Sequence, residues 1–389
     1  MGRDAMDFGL TPEQKAIRDT AMQFATTRLL PGYQEREKAD RIDRELVKEF
    51  GALGMLGTTL PEELGGAGLD FVSTGIIAEA ISYGDHGLGY LPLLSTLVGE
   101  IIHRSASEAV AREWLPRICT GEVLPCLALT EPEAGSDAAH IKLRAERRGD
   151  TFIFNGEKTS ISLAAWADMA VVFGRSDPES PGAHGISAFV VPLDLPGISR
   201  TVFNDLGTRV IGRGSIFFED VEVPASNLLG QEGRGFRQVM AGFDFNRALI
   251  GMQCVGTAQA SVDETWTYVV ERKAFGSPLV KFEGVSFPLA EQETLLEAAR
   301  LLCLKTLWLK DAGQRHTAEA AMCKWWAPKV SFDAITECLL LHGHAGYSDD
   351  YPHQQRMRDV LGLQIGDGTA QIMKLIIARE KVGRVAVPY

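Results

Sequence analysis

The chain has 389 residues, 45% of them hydrophobic and 23% charged, which places it among globular proteins with room for two or three domains. Its formal charge of −12, from 39 basic against 51 acidic residues, argues against a nucleic-acid surface, so an anionic small ligand would have to be met by a local basic pocket. No apolar run reaches the ~18 residues needed to cross a bilayer, and charges stand where a signal peptide has its apolar region, so no membrane association and a cytoplasmic location are expected.

The six cysteines, Cys119, Cys126, Cys254, Cys303, Cys323 and Cys338, contain no C-x-x-C pair and mostly sit in apolar helical contexts. A free cysteine there behaves as a small hydrophobe, so they are expected to be reduced and buried, with no metal site.

From Thr11 to about Cys119 the pattern is helical, with Thr11 as a cap and Pro12 in the first turn. Glycine-rich breaks fall at Gly51 to Gly57 and Gly65 to Gly68; the second follows Pro61-Glu62-Glu63 rather than a strand, so a turn fits it better than a phosphate loop. Residues 1–124 are read as a first helical domain. Over 125–228 the character turns to short β-rich runs: Thr151 to Phe154 ending at Asn155-Gly156, Ala170 to Phe173, Ile186 to Val191, and Ser215 to Phe218. Asn-Gly after such a run predicts a hairpin, and turn residues at Gly182, Gly185, Gly197 and Gly212 suggest a small barrel or sandwich without βαβ alternation.

Over 229–389 the helical period returns. Val255, Ala258, Val262, Trp266 and Val269 share one face, and Leu295, Ala299, Leu302, Thr306 and Leu309 another. The second helix is also apolar at Leu296, Leu304 and Trp308, so a four-helix bundle or a subunit interface must cover more than one stripe. The Trp325-Trp326 pair fits packing better than a cofactor box.

The segment Ile365-Gly366-Asp367-Gly368-Thr369-Ala370-Gln371-Ile372 sets a lone carboxylate between two glycines, at the start of a helix that continues through Leu375, Ile376 and Ile377. Alone it has a plain reading, an Asp-Gly turn with Thr369 as the helix cap. It is preceded by Gly343-His344-Ala345-Gly346-Tyr347-Ser348-Asp349-Asp350-Tyr351-Pro352 and Arg356-Met357-Arg358-Asp359-Val360, and farther back by Leu129-Thr130-Glu131-Pro132-Glu133-Ala134-Gly135-Ser136-Asp137 and Glu271-Arg272-Lys273-Ala274-Phe275-Gly276. In this order and at these spacings the blocks resemble the acyl-CoA dehydrogenases. The likeness runs from Leu10-Thr11-Pro12-Glu13-Gln14 to Ile376-Ile377-Ala378-Arg379-Glu380, nearly the whole chain.

The resemblance implies a mainly α fold with a central β domain: an N-terminal helical domain, a β-barrel or sandwich, and a C-terminal four-helix bundle. It implies α,β-dehydrogenation of an acyl-CoA thioester, FAD as cofactor, a homotetramer, and an electron-transfer flavoprotein as partner. Removing the β-hydrogen as hydride needs a cofactor in any case, because no side chain accepts hydride. By the resemblance, Leu129, Thr130, Gly135 and Ser136 hold the pyrimidine side of the flavin, and Ser136 also meets the thioester. Ser162 supplies a second flavin contact, and Thr369 and Gln371 further ones. Arg272 and Phe275 reach the flavin's pyrophosphate or adenosine end across a subunit boundary, although Arg272 alone would also fit a solvated helix end. Asp244 and Arg247 match residues that contact the pantetheine and nucleotide of CoA, and being three apart on a helix they could equally form a structural pair.

Three positions depart from the family pattern. Ser160 replaces a Trp against the flavin, which opens that wall, and Leu340 replaces a Gln near the adenosine end. At the base the family's usual residue is Glu after an aromatic residue, whereas this chain has Gly366 and Asp367; the family's second base location holds Asn246. Asp367 is therefore the expected catalytic base, shorter by about 1.3–1.5 Å, a misplacement that costs ~10²-fold unless the substrate sits closer. Gly366, Asp367 and Gly368 together suggest a cavity for a wide acyl group, of the cyclohexanecarboxyl type or branched, and the last two-fifths of the chain resemble that subgroup. The alternatives are a nitroalkane oxidase-like flavoenzyme, or a non-catalytic flavin or acyl-CoA binding protein in which Asp367 is only a turn.

Overall fold

The computed structural model describes residues 9–387 apart from 40 and 181, and their side chains apart from those of 237–241. Helix α1 (Pro12–Phe24) starts at a capping box: the Thr11 hydroxyl accepts from Gln14 N at 3.1 Å while Thr11 N donates to Gln14 Oε1 at 3.1 Å. It is followed by α2 (Tyr33–Arg36), α3 (Arg44–Ala52), α4 (Phe71–Gly84), α5 (Tyr90–Ser105) and α6 (Glu108–Cys119). Apolar and small residues occupy most sides of α4, and it is buried almost all round between α1 and the C-terminal helices.

The middle segment forms one eight-stranded, mostly antiparallel sheet. Its strands are β1 (Pro125–Ala128), β2 (Arg144–Arg148), β3 (Thr151–Ile161), β4 (Met169–Arg175), β5 (Ile186–Pro192), β6 (Ile198–Val202), β7 (Gly214–Pro224) and β8 (Leu228–Leu229). The order is β6-β7-β3-β2-β4-β5-β8, with β1 running parallel to β4. The predicted reversal at Asn155-Gly156 does not occur. β3 passes through it with a register shift against β7, and Gly156 takes φ +141 with Leu143 so close that a Cβ would lie 3.0 Å from its Cα. The chain reverses instead at Gly149-Asp150, between the paired Arg148 and Thr151. β2 and β6 gave no strand signal because most of their residues are polar and face solvent. The sheet core is aromatic, with Phe189 edge-on to Phe152 and Phe154 at 4.8 and 5.0 Å.

The rest is helical: α7 (Gly235–Glu271), a short hairpin of β9 (Lys273–Ala274) and β10 (Ser277–Pro278), then α8 (Glu283–Asp311), α9 (Thr317–Leu341), α10 (His353–Gly362) and α11 (Ala370–Val382). The α7 face expected from its period is buried at Val255, Ala258, Val262 and Val269. On α8 the predicted face is buried at Ala299, Thr306 and Leu309, Leu296, Cys303 and Leu307 are buried beside it, and Leu295 and Leu301 are left exposed. All six cysteines are free and buried. Asp359 of α10 ties the three regions together, accepting from Tyr33 OH at 2.6 Å and from Thr208 N at 2.5 Å.

Candidate active site

The loop Leu129 to Ser136 leaves the end of β1 and is closed on itself by bonds between Glu131 and Ala134. What holds it is a buried ion pair. Lys158 of β3, fully enclosed, donates to Glu131 Oε1 at 2.7 Å and to the Leu129 carbonyl at 2.9 Å, while Glu131 also accepts from Lys142 N and Leu143 N. Burial lowers the Lys158 ammonium to about 8 against the pull of Glu131. Thr159 N binds the Thr130 carbonyl at 2.9 Å and draws the end of β3 to this loop.

That end of β3 is strained. Ser160 and Leu163 take φ +57 and +65, on either side of Ser162, and Asp367 and Phe275 take +56 and +51. Non-glycine residues seldom hold this conformation without support from their surroundings. Among the described residues, the hydroxyls of Thr130, Ser136 and Ser162 make no hydrogen bond within the chain. A Cβ at Gly135 would meet nothing within 4 Å. Free hydroxyl donors beside an open backbone suit the polar edge of a flavin.

Asp367 is exposed in the turn between α10 and α11. Its carboxylate acts electrostatically on groups of three helices: the Tyr90 phenol of α5, the Arg247 guanidinium of α7 and the Lys324 ammonium of α9. Tyr90 is buried and its hydroxyl lies 3.3 Å from Arg213 Nη2. Burial is the main influence on all three, lowering Arg247 and bringing Lys324 down to about 8. Gly368 follows with φ +99, and Thr369 caps α11 by accepting from Ile372 N at 3.3 Å. Thr369 thus has the helix-capping role of the plain reading.

Asp244 and Arg247 do form a pair, at 2.9 Å, and Thr317 Oγ1 donates to the other Asp244 oxygen at 2.7 Å. Among the described residues the pair leaves Arg247 Nε buried and without a partner, and the buried Oδ1 of the preceding Asn246 is equally unpartnered. Two orphaned polar atoms beside the groups that sense Asp367 are what a polar ligand would complete. Arg272 and Phe275, in contrast, stand at the far end of α7 and on the β9–β10 hairpin, with Phe275 97% exposed. Gln371 is exposed on α11 and Leu340 is 63% exposed at the end of α9. Lys158 and Lys324 carried no sequence signal as functional residues, since a lysine on a strand or helix normally reads as surface.

Three family matches tile the chain: the acyl-CoA dehydrogenase N-terminal domain over residues 11–122, the middle domain over 126–221 and the C-terminal domain over 233–382. The protein belongs to the acyl-CoA dehydrogenase family. It is an acyl-CoA dehydrogenase with FAD as its cofactor. It is 35% identical over 376 residues to the short-chain specific acyl-CoA dehydrogenase of Clostridium acetobutylicum, covering 96% of this chain and 99% of the other. The solved butyryl-CoA dehydrogenase of Megasphaera elsdenii superposes with a TM-score of 0.93 at 33% identity, covering 97% of this chain and all of the other. A solved structure described as the electron transferring flavoprotein of Acidaminococcus fermentans, in work on flavin-based electron bifurcation, superposes with a TM-score of 0.94 at 36% identity, covering 97% and 100%.

Proposed function

We propose that this enzyme dehydrogenates a thioester of CoA whose acyl group is a ring of the cyclohexanecarboxyl type or is branched at Cα. Its electrons then pass to an electron-transfer flavoprotein. The carrying observation is the base segment: a short Asp367 beside Gly366, where a Cβ would meet only the Gly362 carbonyl at 3.6 Å, with no carboxylate at Asn246. Lateral room next to a shortened base suits a substrate that is wide at Cα and brings its α-hydrogen closer to the wall.

In this reading Asp367 takes the α-proton onto a carboxylate oxygen. The Ser136 hydroxyl and neighbouring amides donate to the thioester carbonyl oxygen as negative charge develops on it. Thr130, Gly135 and Ser162 orient the flavin, which when bound takes the β-hydrogen as hydride. Asp244 and Arg247 meet the pantetheine arm. Arg272, Phe275, Thr369 and Gln371 serve the adenosine end, the first two across a subunit boundary in a homotetramer, which the near-complete exposure of Phe275 supports.

A second reading is a short linear acyl group, favoured by the likeness to the short-chain specific and butyryl-CoA enzymes. An anaerobic screen of cyclic, branched and linear acyl-CoAs, scored as kcat/KM, decides between them, because selectivity is a difference in transition-state contact. A preference for butyryl-CoA over every cyclic or branched thioester would leave the second reading. No bleaching of the flavin by any acyl-CoA would leave a binding protein.

A further inference from the structure

Lys158 and Lys324 are both enclosed in the protein, 0% and 1% exposed, yet their charges are met differently. Lys158 touches a carboxylate, Glu131, at 2.7 Å. Lys324 forms no ion pair within contact distance among the described residues; its ammonium donates to the carbonyls of Leu363 at 2.5 Å and Gly368 at 3.3 Å. Those carbonyls lie at the two ends of the turn that carries Asp367. A buried ammonium bonded only to neutral acceptors is costly, and the main opposite charge acting on it against that burial is the Asp367 carboxylate.

We propose that Lys324 is the positioning residue of the catalytic base: from α9 it clamps both ends of the Leu363 to Gly368 turn and holds Asp367 in its left-handed conformation. This rests on Asp367 being the base. The clamp explains how a non-glycine residue at φ +56 is sustained in an exposed turn, since the turn's carbonyls are tied to a rigid bundle helix. The other titratable groups acting on Lys324 are Cys254 and Arg247 of α7. On α11 Lys374 lies over the Trp325 ring at 4.5 Å, on α8 Cys303 pairs with Cys323, and on α10 Arg356 and Asp359 are committed to Glu264 and to Tyr33 with Thr208.

The test compares wild-type, Lys324→Met, Lys324→Gln and Asp367→Asn holoenzymes, each checked for FAD content and assembly. Readouts are the rate of anaerobic flavin reduction, acyl-CoA affinity and hydrogen exchange of the 363–369 amides. Lys324→Met is expected to slow reduction roughly 10- to 100-fold, to leave acyl-CoA affinity within about threefold, and to speed exchange in the turn. Should the Met variant fail to retain FAD, Lys324→Gln, which keeps a donor group but not the ammonium's reach to both carbonyls, carries the same expected loss of rate at unchanged affinity. An unchanged reduction rate and unchanged amide protection, alongside a near-complete loss of reduction in Asp367→Asn, would overturn the role of Lys324 alone. A wild-type rate in Asp367→Asn would overturn the base assignment and, with it, the reason for the clamp.

Discussion

Asp367 holds φ +56 between two glycines, and the orphaned Asn246 Oδ1 lies one residue from the guanidinium that senses its carboxylate. In the proposed reading both base locations face one site, and only Asp367 carries a proton acceptor. Asp367→Ala should lower the rate of anaerobic flavin reduction by at least ~10³-fold, and adding Asn246→Glu should restore tenfold or more of it. Stopped-flow reduction by the best substrate reads both; no recovery in the double variant would mean that residue 246 does not reach the α-hydrogen. The neighbouring Gly368 has φ +99 and leaves its Cβ position 2.5 Å from Met373 Cε. Gly368→Ala should cost about 1–3 kcal/mol of stability in thermal or urea melts.

At the scale of elements, the site is fixed by bonds between segments remote in sequence. Asp70 caps α4 through Ser73 N at 2.6 Å, but the first two amides of the helix, Phe71 N and Val72 N, donate to Asp311 at the far end of α8, at 2.8 and 3.0 Å. Asp311→Ala should destabilise the enzyme by about 1–2 kcal/mol, the usual range for a lost cap, while kcat/KM stays unchanged. Lys158 has a different consequence. Lys158→Met strands the buried Glu131, for which about 3–5 kcal/mol is typical, and loosens the Leu129 to Ser136 loop. It should release FAD at concentrations where the wild-type enzyme keeps it, which flavin fluorescence after gel filtration measures.

Across the whole molecule, buried titratable groups set how stability answers to pH. Burial brings His86 and His353 down to about 3, so below pH 6.5 the unfolded chain takes up two protons that the folded one refuses. Burial also lifts Asp359, at the junction of the three regions, to about 7, so between the ordinary carboxyl value of 3.8 and that value the folded chain holds a proton the unfolded one has lost. From these three groups alone, acidification from pH 6.5 to 4 removes roughly one proton's worth of stability per pH unit, about 1.4 kcal/mol. Asp359→Asn takes away the opposing proton, so the acid decline of Tm should become steeper although the variant starts less stable at neutral pH. An equal or shallower decline would show that Asp359 does not titrate in this range.

Periodicity and local chemistry determined much of this protein without any structure. The Thr11 cap, the α7 stripe, strands β4 and β5, the buried cysteines and the reaction class follow from residues that interact with near neighbours or stand in a motif. Tertiary structure decided what depends on distant partners. Asn155-Gly156 has strong hairpin chemistry, yet pairing with β7 carries β3 through it, and the weaker Gly149-Asp150 makes the turn because β2, nearly all charged, has a place beside β3. On α8 the packing of α7 and α9 decided how far the covered side extends, adding Leu296, Cys303 and Leu307 to the predicted Ala299, Thr306 and Leu309 and leaving Leu295 exposed. For the candidate site, motif position singles out Asp367 and Asn246 but not Lys158 or Lys324: only folding encloses a lysine beside particular carbonyls, and no spacing along the chain encodes that enclosure.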